Sequence, residues 1–191
     1  MNKILVFDNY DSFTYNLVHL IEKVSHDVVV EVFRNEKISL DEIEKYDRIV
    51  ISPGPGIPEE AGLLLEVIKR FKGKKPIFGV CLGQQAIAVE AGAKLINLDK
   101  VFHGVATDMH SINSGGVILN GIETPFLAGR YHSWVIDEKT LPVEYVITAR
   151  DADGNIMAIE NRSEKIYGVQ FHPESIMTPS GESIMLNFLN S

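Results

Sequence analysis

The chain has 191 residues, 45% of them hydrophobic, enough for one domain with a sizeable core. Its formal net charge is −8 and its 18 Lys and Arg residues form no cluster, so a nucleic-acid or anionic-membrane role is not expected. The single cysteine cannot close an internal disulfide, which fits a reducing compartment. The four apolar residues after Met1-Asn2-Lys3 are too few for a signal peptide. The longest uncharged stretch, residues 76–89, contains Gln84 and Gln85 and is too short to span a bilayer. These features lead us to expect a soluble, cytoplasmic protein.

In chain order, Ile4-Leu5-Val6-Phe7 reads as the first strand, a short apolar run of the kind covered on both faces. Phe13, Leu17, Leu20, Ile21 and Val24 then mark a helical stripe, with Asp11 or Ser12 placed to cap it. Val28-Val29-Val30, Ile49-Val50-Ile51 and Ile77-Phe78 read as further buried strands, and Leu64, Val67, Ile68 and Phe71 as a second helical stripe. This alternation predicts a parallel sheet with right-handed crossovers. Residues 104–167 are richer in strand-like and turn-like segments, among them Gly116-Val117-Ile118-Leu119 and Glu144-Tyr145-Val146-Ile147-Thr148, with Asp153-Gly154 as a tight turn. A last helix is predicted to start at Thr178-Pro179 and to bury Ile184, Met185, Phe188 and Leu189. The expected architecture is a single α/β domain over residues 1–191, an open, mainly parallel sheet with antiparallel strands added in the second half.

Cys81 lies in Gly79-Val80-Cys81-Leu82-Gly83, directly after a strand-like run. Small residues around a nucleophile suit the strained strand-to-helix elbow that presents one side chain to an active site. A helix starting at Leu82 would favour the thiolate, the nucleophilic form. The plainer alternative is a small buried core residue, the usual state of a free cysteine. Downstream, Pro173 disfavours helix through His172, so His172 and Glu174 should point to the same side of an extended segment. The carboxylate would then orient the imidazole, as the third member of a triad does; the alternative is a surface turn. Ser52-Pro53-Gly54-Pro55-Gly56 follows a strand, where open α/β sheets place ligands, and its uncovered backbone N–H groups suit an oxyanion hole or a plain turn. It lacks the lysine and Ser/Thr of a phosphate loop. Arg130-Tyr131-His132-Ser133-Trp134 holds a competing histidine, ranked below His172 because no carboxylate stands at a comparable position. His19, His26, His103 and His110 show no metal-ligand spacing, so neither a metal nor another cofactor is expected.

Ser-Pro-Gly-Pro-Gly, Gly-Val-Cys-Leu-Gly-Gln-Gln and Gln-Phe-His-Pro-Glu, in that order, resemble the class I, triad-type glutamine amidotransferases. The opening Phe7-Asp8-Asn9-Tyr10-Asp11-Ser12-Phe13-Thr14-Tyr15-Asn16 resembles the glutaminase components (component II) of anthranilate synthase and of aminodeoxychorismate synthase. The resemblance implies a flavodoxin-like or Rossmann-like fold and hydrolysis of the glutamine side-chain amide. On this chain it implies Cys81 as nucleophile, His172 as proton carrier and Glu174 as its orienter. Oxyanion donors would come from the backbone near Gly54 and of Leu82, and Gly54, Pro55, Gly56, Gln85, Ser133 and Trp134 would hold the substrate L-glutamine. The family often has histidine at Gln84 and lysine at Val105; the first departure lies outside the triad, and the second falls where a partner is expected to dock.

A chorismate-using synthase subunit (component I) is the implied partner in a hetero-oligomer, because ammonia released into bulk water would largely protonate. Its contact surface is expected around residues 9–13 and His103. Anthranilate is the leading product, in tryptophan biosynthesis, with aminodeoxychorismate, in folate biosynthesis, as the alternative. Further alternatives are a partner-independent cysteine hydrolase or γ-glutamyl peptidase, a silent binding module, and the glutaminase subunit of GMP synthetase.

Overall fold

The computed structural model describes residues 2–191. The strands are β1 (Asn2–Asp8), β2 (Val28–Arg34), β3 (Arg48–Ile51), β4 (Ile77–Val80), β5 (Leu95–Asn97), β6 (Val105–Ser111), β7 (Phe126–Arg130), β8 (Trp134–Ile136), β9 (Val146–Asp151), β10 (Ile156–Asn161) and β11 (Ile166–Val169). The helices are α1 (Thr14–Val24), α2 (Leu40–Ile43), α3 (Leu64–Phe71), α4 (Leu82–Glu90) and α5 (Gly181–Leu189). Nine strands form one sheet in the order β2-β1-β3-β4-β11-β10-β9-β6-β7, and β5 pairs with β8 in a small second sheet. The β2-β1-β3-β4-β11 half is parallel and the remaining pairings are antiparallel, matching the change in pattern along the sequence.

Alternation along β1 explains the layers. Ile4 and Val6 face α1 and α5, where Leu17, Ile21, Ile184, Met185 and Phe188 complete a fully buried cluster. Leu5 and Phe7 face the other way, onto Leu64, Val67, Ile68 and Phe71 of α3 and Ile87 of α4. Asp153-Gly154 turns between β9 and β10, with Gly154 at φ +85°. Among the described residues no helix is long and apolar enough to cross a membrane.

Four expectations need correction. β2 is an edge strand, so its residues are only part-buried rather than covered on both faces. Residues 116–119 form a turn, because Asn113, Ser114, Gly115 and Gly116 all have positive φ and the buried Glu160 carboxylate accepts the Val117 N–H. Ile118 and Leu119 are still buried, so the apolar run marks core without being strand. The last helix starts at Gly181, and Thr178 serves another purpose described below. Phe13 precedes α1 and stays partly exposed, while Asp11 accepts the Phe13 N–H in a local turn instead of capping the helix.

Candidate active site

The parallel strands β1, β3, β4 and β11 are neighbours, so the loops leaving their C-terminal ends converge at one edge of the sheet. Those loops carry Asn9, Ser52 to Gly56, Cys81 and Gln170 to Glu174. The sequence motifs therefore meet in space because each follows a parallel strand.

Cys81 sits between β4 and α4 with φ +53° and ψ −101°, a conformation that L-residues adopt only where the surroundings enforce it. Its N–H donates to Val169 O of β11 and its carbonyl accepts from Gln85, fixing both sides of the bend. The flanking glycines allow this tight passage. A Cβ on Gly79 would come within 2.5 Å of the Gly83 backbone, and one on Gly83 within 2.9 Å of Ile51 O. Cys81 is 7% exposed at the N-terminal end of α4, where the first N–H groups, that of Leu82 foremost, have no intrahelical partner. The Leu82 side chain is buried and lies against Gly54.

His172 is held by its backbone as firmly as by its ring. Its N–H donates to Gly129 O of β7, and the Thr178 hydroxyl donates to His172 O while accepting the Gly129 N–H. Thr178 thus ties the histidine loop to β7. The imidazole Nδ1 lies 2.6 Å from Glu174 Oε1, with both side chains almost fully buried. Tyr131 and Phe13 pack against the ring at centroid distances of 4.7 and 6.4 Å. Nε2 is buried and makes no hydrogen bond. Burial is the largest single influence on this ring and opposes its charge. The Cys81 and Glu174 side chains together outweigh it and push the pKa up to about 10.

His132 differs in kind. Its Nε2 accepts from Arg130 Nε and its Nδ1 contacts Trp134 O, both at 3.1 Å, so neither nitrogen is free. Burial first, then the Arg130 charge, lowers its pKa to about 3. The expected titrations are opposite. Because a histidine is charged below its pKa, the His172 ring should be an imidazolium at pH 7 and lose its proton only as the pH rises through about 10. His132 should stay neutral down to about pH 3. Side-chain ¹⁵N chemical shifts of the two rings, followed from acid to alkaline pH, check this directly.

Gly54, Pro55, Gly56, Ser133 and Trp134 line a cleft of ≈ 340 Å³ together with Cys81 and Gln85. A second opening of ≈ 530 Å³ shares Cys81, Gly54, Pro55 and Tyr131 with the first and is otherwise walled by residues that include Asp11, Phe13, His103 and His172. Cys81 therefore lies between two clefts of different lining. Tyr10 and Phe13 are 46% and 38% exposed beside the second one, whereas Asn9 is buried and does not belong to the expected contact surface. Asn9 instead fastens the glycine-proline loop: its N–H donates to Ser52 Oγ and its Nδ2 to Ser52 O, each at 2.9 Å.

Two residues of this site carry only a faint signal in the sequence. Asn9 stands in the opening motif, and its signal is a polar residue soon after a buried strand. Gln170 is fully buried and its Nε2 lies 3.5 Å from Cys81 Sγ. Its signal is a polar side chain between apolar Val169 and Phe171.

A Cβ on Gly181 would lie 1.9 Å from Pro173 O, so α5 begins directly beneath the histidine loop. Gly181→Ala should displace residues 172–174 and lower turnover at this site by about 10-fold or more, since small misplacements of catalytic groups carry large rate penalties. Steady-state kinetics beside a thermal melt would separate this from simple unfolding.

A profile of the family glutamine amidotransferase class-I matches residues 5–191. The chain belongs to that family. It is 45% identical over 192 residues to the bifunctional protein TrpGD of Thermotoga maritima, covering 100% of this chain but only 32% of that longer protein. It is 46% identical over 190 residues to the aminodeoxychorismate/anthranilate synthase component 2 of Bacillus subtilis, covering 98% of this chain and 96% of the relative. Among solved structures, a Thermoplasma acidophilum protein described as part of a GMP synthase superposes with a TM-score of 0.88 at 26% identity, covering 100% of this chain and 93% of that one.

Proposed function

We propose that residues 1–191 act as one glutaminase domain that releases ammonia from glutamine for a chorismate-using synthase subunit. The observation that carries the chemistry is the buried His172–Glu174 pair, 2.6 Å apart, with its outer nitrogen uncommitted beside a cysteine at a strained elbow. Glutamine binds in the cleft formed by Gly54, Pro55, Gly56, Gln85, Ser133 and Trp134, with its carboxamide carbon at Cys81. The sulfur's proton already resides on the His172 imidazolium, and the thiolate attacks the carbonyl carbon. The oxygen takes up negative charge against the Leu82 N–H and the backbone near Gly54. His172 returns the proton to the leaving nitrogen, so ammonia departs and a γ-glutamyl thioester remains on Cys81. Water, deprotonated by His172, attacks the thioester and glutamate leaves with the thiol restored. Glu174 holds Nδ1 and offsets the positive charge throughout.

Ammonia leaves by the second cleft, past Phe13 and His103, into a partner seated over it. The full-length likeness to a component 2 that carries both product names fits either product; anthranilate is the first reading and aminodeoxychorismate the second. The complex is a hetero-oligomer without nucleic acid or membrane, and a cytoplasmic setting suits a lone reactive thiol. The test is to purify the chain with its partner from the source organism and assay the complex with chorismate and glutamine. Glutamine-dependent anthranilate formation, with only weak glutamine hydrolysis by the isolated chain, is expected. Aminodeoxychorismate instead would move the product to the second reading. Full-rate hydrolysis by the chain alone, with no partner recovered, would point to an independent hydrolase.

A further inference from the structure

Gln85 and Gln170 form a chain of side-chain amides that ends on the nucleophile. Gln85 Nε2 donates to Trp134 O and to Gln170 Oε1, each at 3.1 Å, and Gln170 Nε2 reaches Cys81 Sγ at 3.5 Å. The direction of this chain follows from its first member. A backbone carbonyl only accepts, so Gln85 must turn its NH2 group toward Trp134 O. The same nitrogen faces Gln170, which must answer with its oxygen. Gln170 is then left presenting N–H, not C=O, to the sulfur. Both amides are almost fully buried, so neither can exchange these partners for water without a rearrangement.

We propose that Gln170 is a further catalytic residue, an amide donor that stabilises the Cys81 thiolate, and that Gln85 together with the Trp134 carbonyl keeps it in the donating orientation. A hydrogen bond to an anion is stronger than one to a neutral acceptor, so this contact favours the thiolate over the thiol. Trp134 also lines the cleft assigned to glutamine, which joins the substrate-binding segment to the sulfur through two side chains. The inference rests on Cys81 being the glutaminase nucleophile.

The test is the rate at which iodoacetamide alkylates Cys81 at pH 7, read by intact mass, beside glutaminase kinetics. Gln170→Leu removes the donor and should slow alkylation about 10- to 100-fold, the size of a lost hydrogen bond to a charged group. Its kcat should fall with little change in KM. Gln85→Met leaves Gln170 in place but unoriented, and a smaller, several-fold loss of alkylation is expected. Should Gln170→Leu fail to fold, Gln85→Met decides alone. Alkylation within about two-fold of wild type in every folded variant would overturn the inference while leaving the glutaminase reading intact. A wild-type chain with an unreactive Cys81 would overturn both.

Discussion

Cys81→Ala should remove glutamine-dependent product formation, to below about 10⁻⁴ of the wild-type rate, while the assembled complex continues to use added ammonium salts. The size follows from the chemistry: without sulfur there is no thioester, and the remaining backbone donors can stabilise an oxyanion but cannot form the covalent intermediate. The retained ammonia reaction follows from the separation of sites, since the alanine variant alters only the side that makes ammonia. Cys81 is also a small residue at the start of α4, and alanine fits the same space with its Cβ unchanged. Loss of the ammonia-dependent reaction along with the glutamine-dependent one would assign Cys81 a structural role instead.

His172→Asn should lower both acylation and deacylation, by about 10³-fold or more, because one ring carries the proton in each half-reaction. Rapid-quench kinetics that follow ammonia and glutamate separately distinguish the two steps. Glu174→Gln should be milder, about 10²-fold, because glutamine can still accept from Nδ1 at the same position while losing the charge that favours the imidazolium. Asparagine at His132 should leave the pH profile of the reaction in place, since both nitrogens of that ring are already engaged. An effect at His132 equal to that at His172 would reassign the base.

The parallel half of the fold is readable from local pattern because its inner strands are covered on both sides, so Ile4 to Phe7 and Ile49 to Ile51 are uninterrupted apolar runs. The reading weakens where tertiary position overrides that pattern. β2 opens on an apolar run like that of its neighbour β1 but lies at the edge, and the apolar residues 117–119 enter the core through a turn held by Glu160, 43 positions from Val117. The site follows the same division. Cys81 and the His172–Glu174 segment stand out because each is a short motif, an elbow and a Pro-flanked stretch, although the second is a turn and not the extended segment expected, since the Ser175 N–H donates to His172 O. Gln170, Thr178 and Asn9 do not, because each acts on a residue distant in sequence: Gln170 on Cys81, Thr178 on Gly129, Asn9 on Ser52. His132 and His172 could be ranked only weakly from sequence. What distinguishes them is that the first is boxed in by Arg130 and Trp134, while the second faces the sulfur with one nitrogen free.

The most direct measurement is to treat the purified complex with an L-glutamine analogue bearing an electrophilic carbon in place of the side-chain amide, then locate the label by mass spectrometry. One adduct per chain on Cys81, blocked by excess glutamine and absent from Cys81→Ala, is the result predicted. A label on any other residue, or none at all with the partner bound, would contradict the assignment of Cys81 as the nucleophile.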